Sequence, residues 1–263
     1  MRRWLTWAGL AVGLTACWPF GGGKSDESAA VPAPLLNSPR TLDSLWTAGQ
    51  LAFNQGDRKT ASEIFTRLGT VLPVTDARHA RLLFFQAEIA LGNGLELDAV
   101  RLFRRVSDEA PDDSLAPDAL VRAGDAYSQL WRKPELDPTY GLTALGVYQE
   151  VGSRYPGTPA ARRAEARIQD LNQKFAYKDY KNALFYYQYK AYESAILSLR
   201  GLIAQYPRAE IVPEALEKLV ASYRVLGYQE DLRETCQYIA QFHPDPDGPL
   251  RLCPAAADSV GGS

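Results

Sequence analysis

The sequence predicts an all-α fold, a right-handed solenoid of five helix pairs. Three observations predict it. Amphipathic runs of helical period fill most of the chain with almost no alternating strand pattern between them. Two of those runs end alike, in Ser-Arg-Tyr-Pro-Gly-Thr-Pro at 153–159 and Ala-Gln-Tyr-Pro-Arg-Ala-Glu at 204–210. Proline lacks the N–H that continues a helix, and it pushes the preceding residue out of the α region, so each Tyr-Pro is a stop. Stops also follow amphipathic runs at Pro73, Pro111 and Pro244, and that recurrence is the mark of a repeat.

Counting back from each proline recovers the tetratricopeptide pattern. That pattern asks for a small residue twelve positions earlier, a large apolar one eight earlier and an apolar one five earlier. Ala61, Phe65 and Leu68 stand before Pro73; Ala99, Phe103 and Val106 before Pro111; Ala144, Tyr148 and Val151 before Pro156; Ala195, Leu199 and Leu202 before Pro207. Leu232, Cys236 and Ile239 precede Pro244, where only the small residue fails. A further small residue on the first helix of each pair lets the backbones approach. Gly49, Ala87 and Ala183 fit at twelve positions before the alanine, Gly124 fits with eight extra residues, and Val220 is the misfit of the last unit.

Taken in order, the chain opens with Arg2 and Arg3, then an apolar segment of about a dozen residues, too short for a span of roughly 20 and suited to a signal peptide over residues 1–16. Leu14-Thr15-Ala16-Cys17 matches a bacterial lipobox, which makes Cys17 the expected lipidation site; several acyl chains, at ~0.8 kcal/mol per buried CH2, suffice for stable anchoring. Trp18 in place of aspartate after the cysteine argues for sorting away from the inner membrane. Residues 17–40 are rich in Pro, Gly, Ser and Ala and read as a tether. The repeats follow at about 41–73, 76–111, 114–156, 158–207 and 211–244, and residues 245–263 read as a flexible tail.

Helices are expected over Asp43–Gln55, Arg58–Leu72, Ala77–Leu91, Leu95–Glu109, Leu115–Leu130, Leu142–Arg154, Pro159–Tyr187, Tyr192–Gln205, Val212–Leu226 and Gln229–Phe242. Two features depart from a regular array. The third pair carries a long connection, Arg-Lys-Pro-Glu-Leu-Asp-Pro-Thr-Tyr-Gly, and a loop of that length is functional or packs on a neighbour. The run from Pro159 spans on the order of 45 Å as a helix, with a bend expected near 172–176.

Composition excludes some functions. Of 29 basic residues the leader removes two, leaving 27 against 31 acidic ones and a formal charge of −4, with both signs interspersed and no basic stripe, so no nucleic-acid partner is expected. His79 and His243 are the only histidines and lie far apart, so neither a metal site nor a cofactor is expected. Serines and acids occur without a nucleophile elbow, and no catalytic residues are assigned. Cys236 and Cys253 remain once Cys17 is acylated. Two readings stay open: a disulfide that folds the tail back over the last helix, or a buried Cys236 and a free Cys253.

Some residues invite a binding role. Phe185, Tyr186, Tyr187, Tyr189 and Tyr192 could line a peptide groove, yet most of this run is expected to pack between repeats three, four and five. The same preference for core applies to Trp46, Phe53, Phe84 and Phe85. Arg162, Arg163 and Arg167 either meet an acidic partner or form a solvated face, with the solvated face favoured.

The lipobox, tether and five repeats, with Asp137-Pro138-Thr139-Tyr140 before a helix and Arg154-Tyr155-Pro156-Gly157-Thr158-Pro159-Ala160-Ala161-Arg162-Arg163 opening the long one, resemble the BamD family of outer-membrane β-barrel assembly lipoproteins. The likeness spans about 41–243 and is closest over 137–207. It implies a non-catalytic scaffold at the outer membrane facing the periplasm. It also implies docking of the C-terminal repeats on a BamA-like barrel protein and reception of unfolded outer-membrane proteins by the N-terminal repeats. Family members carry arginine nine residues before the fourth repeat's proline; here that residue is Ser198, and the role passes weakly to Arg200. Other periplasmic tetratricopeptide lipoproteins, acting in envelope division or as pilotins for pili or secretion, share the lipobox and repeats and are the alternative reading.

Overall fold

The computed structural model describes residues 38–254, and the signal peptide, Cys17 and most of the tether lie outside the described residues. Ten α-helices follow one another as five antiparallel pairs: α1 Pro39–Asn54 with α2 Arg58–Val71, α3 His79–Gly92 with α4 Glu96–Glu109, α5 Ala116–Leu130 with α6 Thr139–Arg154, α7 Pro159–Gln188 with α8 Tyr192–Gln205, and α9 Val212–Leu226 with α10 Gln229–Phe242. No strand occurs among the described residues. This is a tetratricopeptide-like solenoid.

The repeat positions are the core. Ala61, Phe65, Leu68, Ala99, Phe103, Val106, Ala144, Val151, Ala195 and Leu199 have no exposed surface, and Tyr148 and Leu202 have almost none. The small residues on the first helices do what their size allows. A Cβ on Gly49 would lie 2.8 Å from the Phe65 ring, and one on Gly124 would run into the ring of Tyr148. In the last pair Val220 and Leu232 are both buried, so a bulkier couple occupies the crossing.

Helix ends follow local chemistry. Ser38 accepts a hydrogen bond from the Thr41 amide and Pro39 occupies the first turn, so α1 begins four residues before the expected Asp43. Asp57 caps α2 through the Thr60 amide, and Thr158 caps α7 through the Ala161 amide with Pro159 behind it. Asp137 accepts from the Thr139 amide at 2.8 Å, which starts α6 at Thr139 rather than Leu142 and shortens the long connection to 131–138. That connection packs on a neighbour: Trp131 stacks on Phe175 with ring centroids 4.7 Å apart, and Lys178 donates to the Leu136 carbonyl at 3.0 Å.

Gly141 is the tightest approach in this region, because an added Cβ would enter the Trp131 indole, which Phe175 already boxes in. Gly141→Ala should therefore cost about 1–3 kcal/mol by overpacking. Gly146→Ala, on the same helix with nothing within 4 Å, should instead stabilise by about 0.5–1 kcal/mol through helix propensity. Denaturant midpoints moving in the same direction for the two variants would refute this packing.

The long helix is continuous from Pro159 to Gln188 and joins two stretches of core. Its side chains up to Phe175 pack with the second and third pairs, and those from Ala176 pack with the fourth and fifth. The first pair closes a separate cluster in which Trp46, Phe53, Phe65 and Phe85 meet, with Phe65 and Phe85 stacked at 5.0 Å. Phe84 joins the second cluster.

The turns between the two helices of pairs one, two, four and five share one form, with the central residue in the left-handed region. Glycine supplies it at Gly56, Gly94 and Gly227, whereas the fourth pair uses Lys190 at φ 59°. A non-glycine residue there costs roughly 1–2 kcal/mol.

The segment after Asp245 is not loose up to Pro254. Pro249–Leu252 form a 3-10 turn, Cys236 and Cys253 are bonded with Cα atoms 5.6 Å apart, and Leu250 and Leu252 pack on the last core cluster. Arg251 pairs with Glu217 at 2.9 Å, and Arg224 donates to the Leu252 carbonyl. The hook covers α9, where a further repeat would otherwise stack.

Candidate functional site

Two concave surfaces stand out among the described residues. The first is a cleft of about 370 Å3 between α8, α9 and α10, walled by Ile203, Ala204, Pro207, Leu216, Leu219 and Tyr238. α8 and α10 are the second helices of adjacent pairs, and apolar side chains of both and of α9 face this cleft. Arg200 stands at its rim, exposed, with one guanidinium nitrogen 3.4 Å from Asp231. Such a pair is screened and contributes little to folding, which leaves the arginine available. Beside it the outer face of α8 is smooth: Leu197 is 76% exposed, Gly201 is open, and Ser198 points no charge outward. Arginine is among the residues enriched in protein interfaces, and here one borders an apolar cleft and an exposed leucine.

The second surface is a groove of about 630 Å3 lined by α3, α5 and α7, the first helices of pairs two, three and four. A ladder of charge crosses it. Arg122 donates to both oxygens of Glu88, at 2.5 and 2.6 Å, and to Asp125 at 3.2 Å. Asp125 also accepts from the Tyr148 hydroxyl at 2.8 Å and from Arg167 at 3.0 Å, with only 11% of its side chain exposed. Arg163 pairs with Asp118. The Glu88 carboxylate beside Arg122 raises that guanidinium's pKa further above its ordinary value. Burial, then the charge of Asp125, pushes the Tyr148 phenol well up, so its hydroxyl remains a donor.

The residues singled out in the sequence are distributed unevenly. Arg163 and Arg167 do come together in the groove, but each holds an acid of this chain. Arg200 lies apart from them at the cleft. The expectation that the aromatic run is mostly core fails: Phe185, Tyr186 and Tyr189 are exposed, and Tyr187 and Tyr192 are only half-buried, against each other. The buried face of α7 is Leu171, Phe175, Ala176, Tyr180 and Ala183, and three successive aromatics at 185–187 cannot all share it. The network about Asp125 was missed. Its signal was Tyr148 standing where other repeats have Phe, Leu or Cys, since a buried hydroxyl needs a partner.

Residues 40–238 match the family model described as YfiO, outer membrane lipoprotein. The chain belongs to this YfiO family. A Neisseria meningitidis protein named outer membrane protein assembly factor BamD is 24% identical over 93% of this chain and 92% of its own length. A Vibrio cholerae protein of the same name is 30% identical over 41% of this chain and 44% of that one. A tetratricopeptide repeat protein from Parabacteroides merdae superposes with a TM-score of 0.38 at 13% identity, over 77% of this chain and 80% of that one, too loosely to bear on the argument. Among the described residues no helix of this YfiO-family chain is long and apolar enough to cross a membrane, and no group of three or more His, Cys, Asp or Glu is placed to hold a metal ion.

Proposed function

We propose that this protein is a non-catalytic scaffold subunit of the outer-membrane β-barrel assembly machinery, anchored through lipid on Cys17 and facing the periplasm. The observation that carries the reading is the match to proteins named BamD along nearly the whole chain. In this reading the C-terminal cleft, with Arg200 at its rim and Leu197 beside it, docks a BamA-like barrel protein. The groove and the aromatic first pair receive segments of unfolded outer-membrane proteins. A solenoid suits that work, since its pairs present pockets at regular intervals to an extended chain.

The test is a mild-detergent pull-down of the tagged lipoprotein from its native envelope. A large barrel protein with periplasmic domains should co-purify. Arg200→Glu with Leu197→Asp should reduce its recovery about thirtyfold, the scale of one lost hot spot of ~2 kcal/mol, without lowering the melting temperature. Recovery of division or pilus proteins without the barrel would overturn the assignment. Unchanged recovery by the double variant would overturn the cleft.

A further inference from the structure

The end of α7 carries a cluster of exposed aromatic rings that neither the cleft nor the groove includes. Phe185 is 54% exposed and Tyr189 73%, and the Phe185 ring meets Tyr186 edge-on and Tyr189 at a tilt, outside the core. Tyr177, Lys181, Phe185 and Tyr189 follow at four-residue intervals and so lie along one side of the helix. That side stands proud. Lys178 is held by the α5–α6 connection, and the rest of α7 beyond it, about 15 Å of helix, runs on past that connection. At the apex is Lys190, in a backbone conformation for which the equivalent turns use glycine. The strain yields nothing in packing, since Lys190 is exposed; what it adds is an exposed lysine directly after Tyr189 in the sequence.

The neighbouring α9–α10 turn continues the patch with Val225 and Tyr228, joined to the first turn by the Tyr228 hydroxyl donating to Glu193 at 3.3 Å. The acids of the α9–α10 side carry only exposed pairs, Glu193 with Tyr228 at 3.3 Å, Asp231 with Arg200 at 3.4 Å and Glu230 with Arg233 at 3.8 Å, so the positive side of the patch is the α7–α8 turn with Lys181 and Lys190. Exposed Tyr and Phe flanked by lysines are the composition of the membrane–water interface, where rings sit at headgroup depth and ammonium groups meet phosphates.

We propose that the α7–α8 turn, with the α9–α10 turn beside it, rests on the headgroup layer of an anionic phospholipid membrane. Phe185, Tyr186 and Tyr189 lie at the interface, and Lys181 and Lys190 lie on the phosphates. The choice of a lipid surface over an acidic protein leans on the lipid-anchor reading proposed above. Twenty residues, 18–37, separate Cys17 from the first described residue, a tether of at most about 70 Å. A domain held that close meets the membrane at high effective concentration, so a small interfacial patch suffices.

The experiment places the photoreactive residue benzoylphenylalanine at Tyr189 and, as a control, at Phe242, an exposed aromatic at the opposite edge of the repeats. The lipidated full chain is incorporated into vesicles of phosphatidylethanolamine with phosphatidylglycerol, or of phosphatidylcholine alone, and irradiated. Lipid adducts at 189 should exceed those at 242 at least fivefold in the anionic vesicles and fall in the neutral ones. Lys190→Gly should cut the adducts at 189 at least threefold while raising the melting temperature. Equal yields at the two positions overturn the proposal. So does an adduct at 189 that forms only with protein in native envelopes. A chain with no lipid mass on Cys17 would refute the anchor alone, and the same adducts are then scored with the chain added to vesicles from solution.

Discussion

Replacing Asp125 with alanine should destabilise this solenoid by about 3 kcal/mol, a drop of roughly 6–12 °C in melting temperature for a domain of this size. The carboxylate is the node of the groove. It accepts from the Tyr148 hydroxyl, from Arg167 and from Arg122, and so ties α5 to α6 and α7 at once. Its removal leaves the buried Tyr148 hydroxyl without a partner, which alone costs on the order of 1–3 kcal/mol. The share owed to Arg167 is smaller, because that side chain is half exposed and water screens the pair. Arg122 keeps its fork to Glu88 and does not become an orphan. Tyr148→Phe should cost only about 1 kcal/mol, since it removes donor and demand together. The double variant should then cost clearly less than the two singles added. An Asp125→Ala variant within 0.5 kcal/mol of the parent would mean the ladder is solvated surface and the groove is held by packing alone.

That network marks where sequence reasoning stopped. The repeat itself was legible because small-large-apolar spacing is a statement about how two helices cross. The residues it picks, from Ala61 and Phe65 to Ala195 and Leu199, are the ones with no exposed surface. Helix ends were legible within a few residues because proline, glycine and capping side chains act locally. Asp125 and Arg167 are 42 positions apart, and their pairing depends on how the third and fourth pairs stack. The aromatic end of α7 was misread for a related reason. Helical period says that Phe185, Tyr186 and Tyr187 point in three directions, but only the length of the neighbouring elements says which directions are covered. The α5–α6 connection meets α7 at Lys178, and beyond it Phe185, Tyr186 and Tyr189 are exposed among the described residues. The tail was read as flexible with a Cys236–Cys253 bond left open as one of two readings, and the structure takes the bonded one. The 3-10 turn itself was not legible, because four residues are too short to show a period.

Reduction of the Cys236–Cys253 bond should open that hook and cost about 3 kcal/mol, the chain-entropy expectation for a closed loop near the 17-residue separation seen here. The loss should be local. In a solenoid each pair leans mainly on its neighbours, so stability is spent where the contact is lost. Once the bond is broken, Pro249 leaves its buried seat, Arg251 releases Glu217, and the face of α9 that the hook covers meets water. Amide exchange should therefore quicken in α9 and α10 and remain unchanged in α3 through α6, whose core is a separate cluster. Cys236→Ser with Cys253→Ser should reproduce the pattern without reductant. If exchange in α9 and α10 is the same with and without the bond, the hook is held by Leu250, Leu252 and the arginine contacts, and the disulfide is incidental to the end of the fold. If exchange quickens along the whole chain, the five pairs unfold as one unit, and the last pair anchors the solenoid rather than merely closing it.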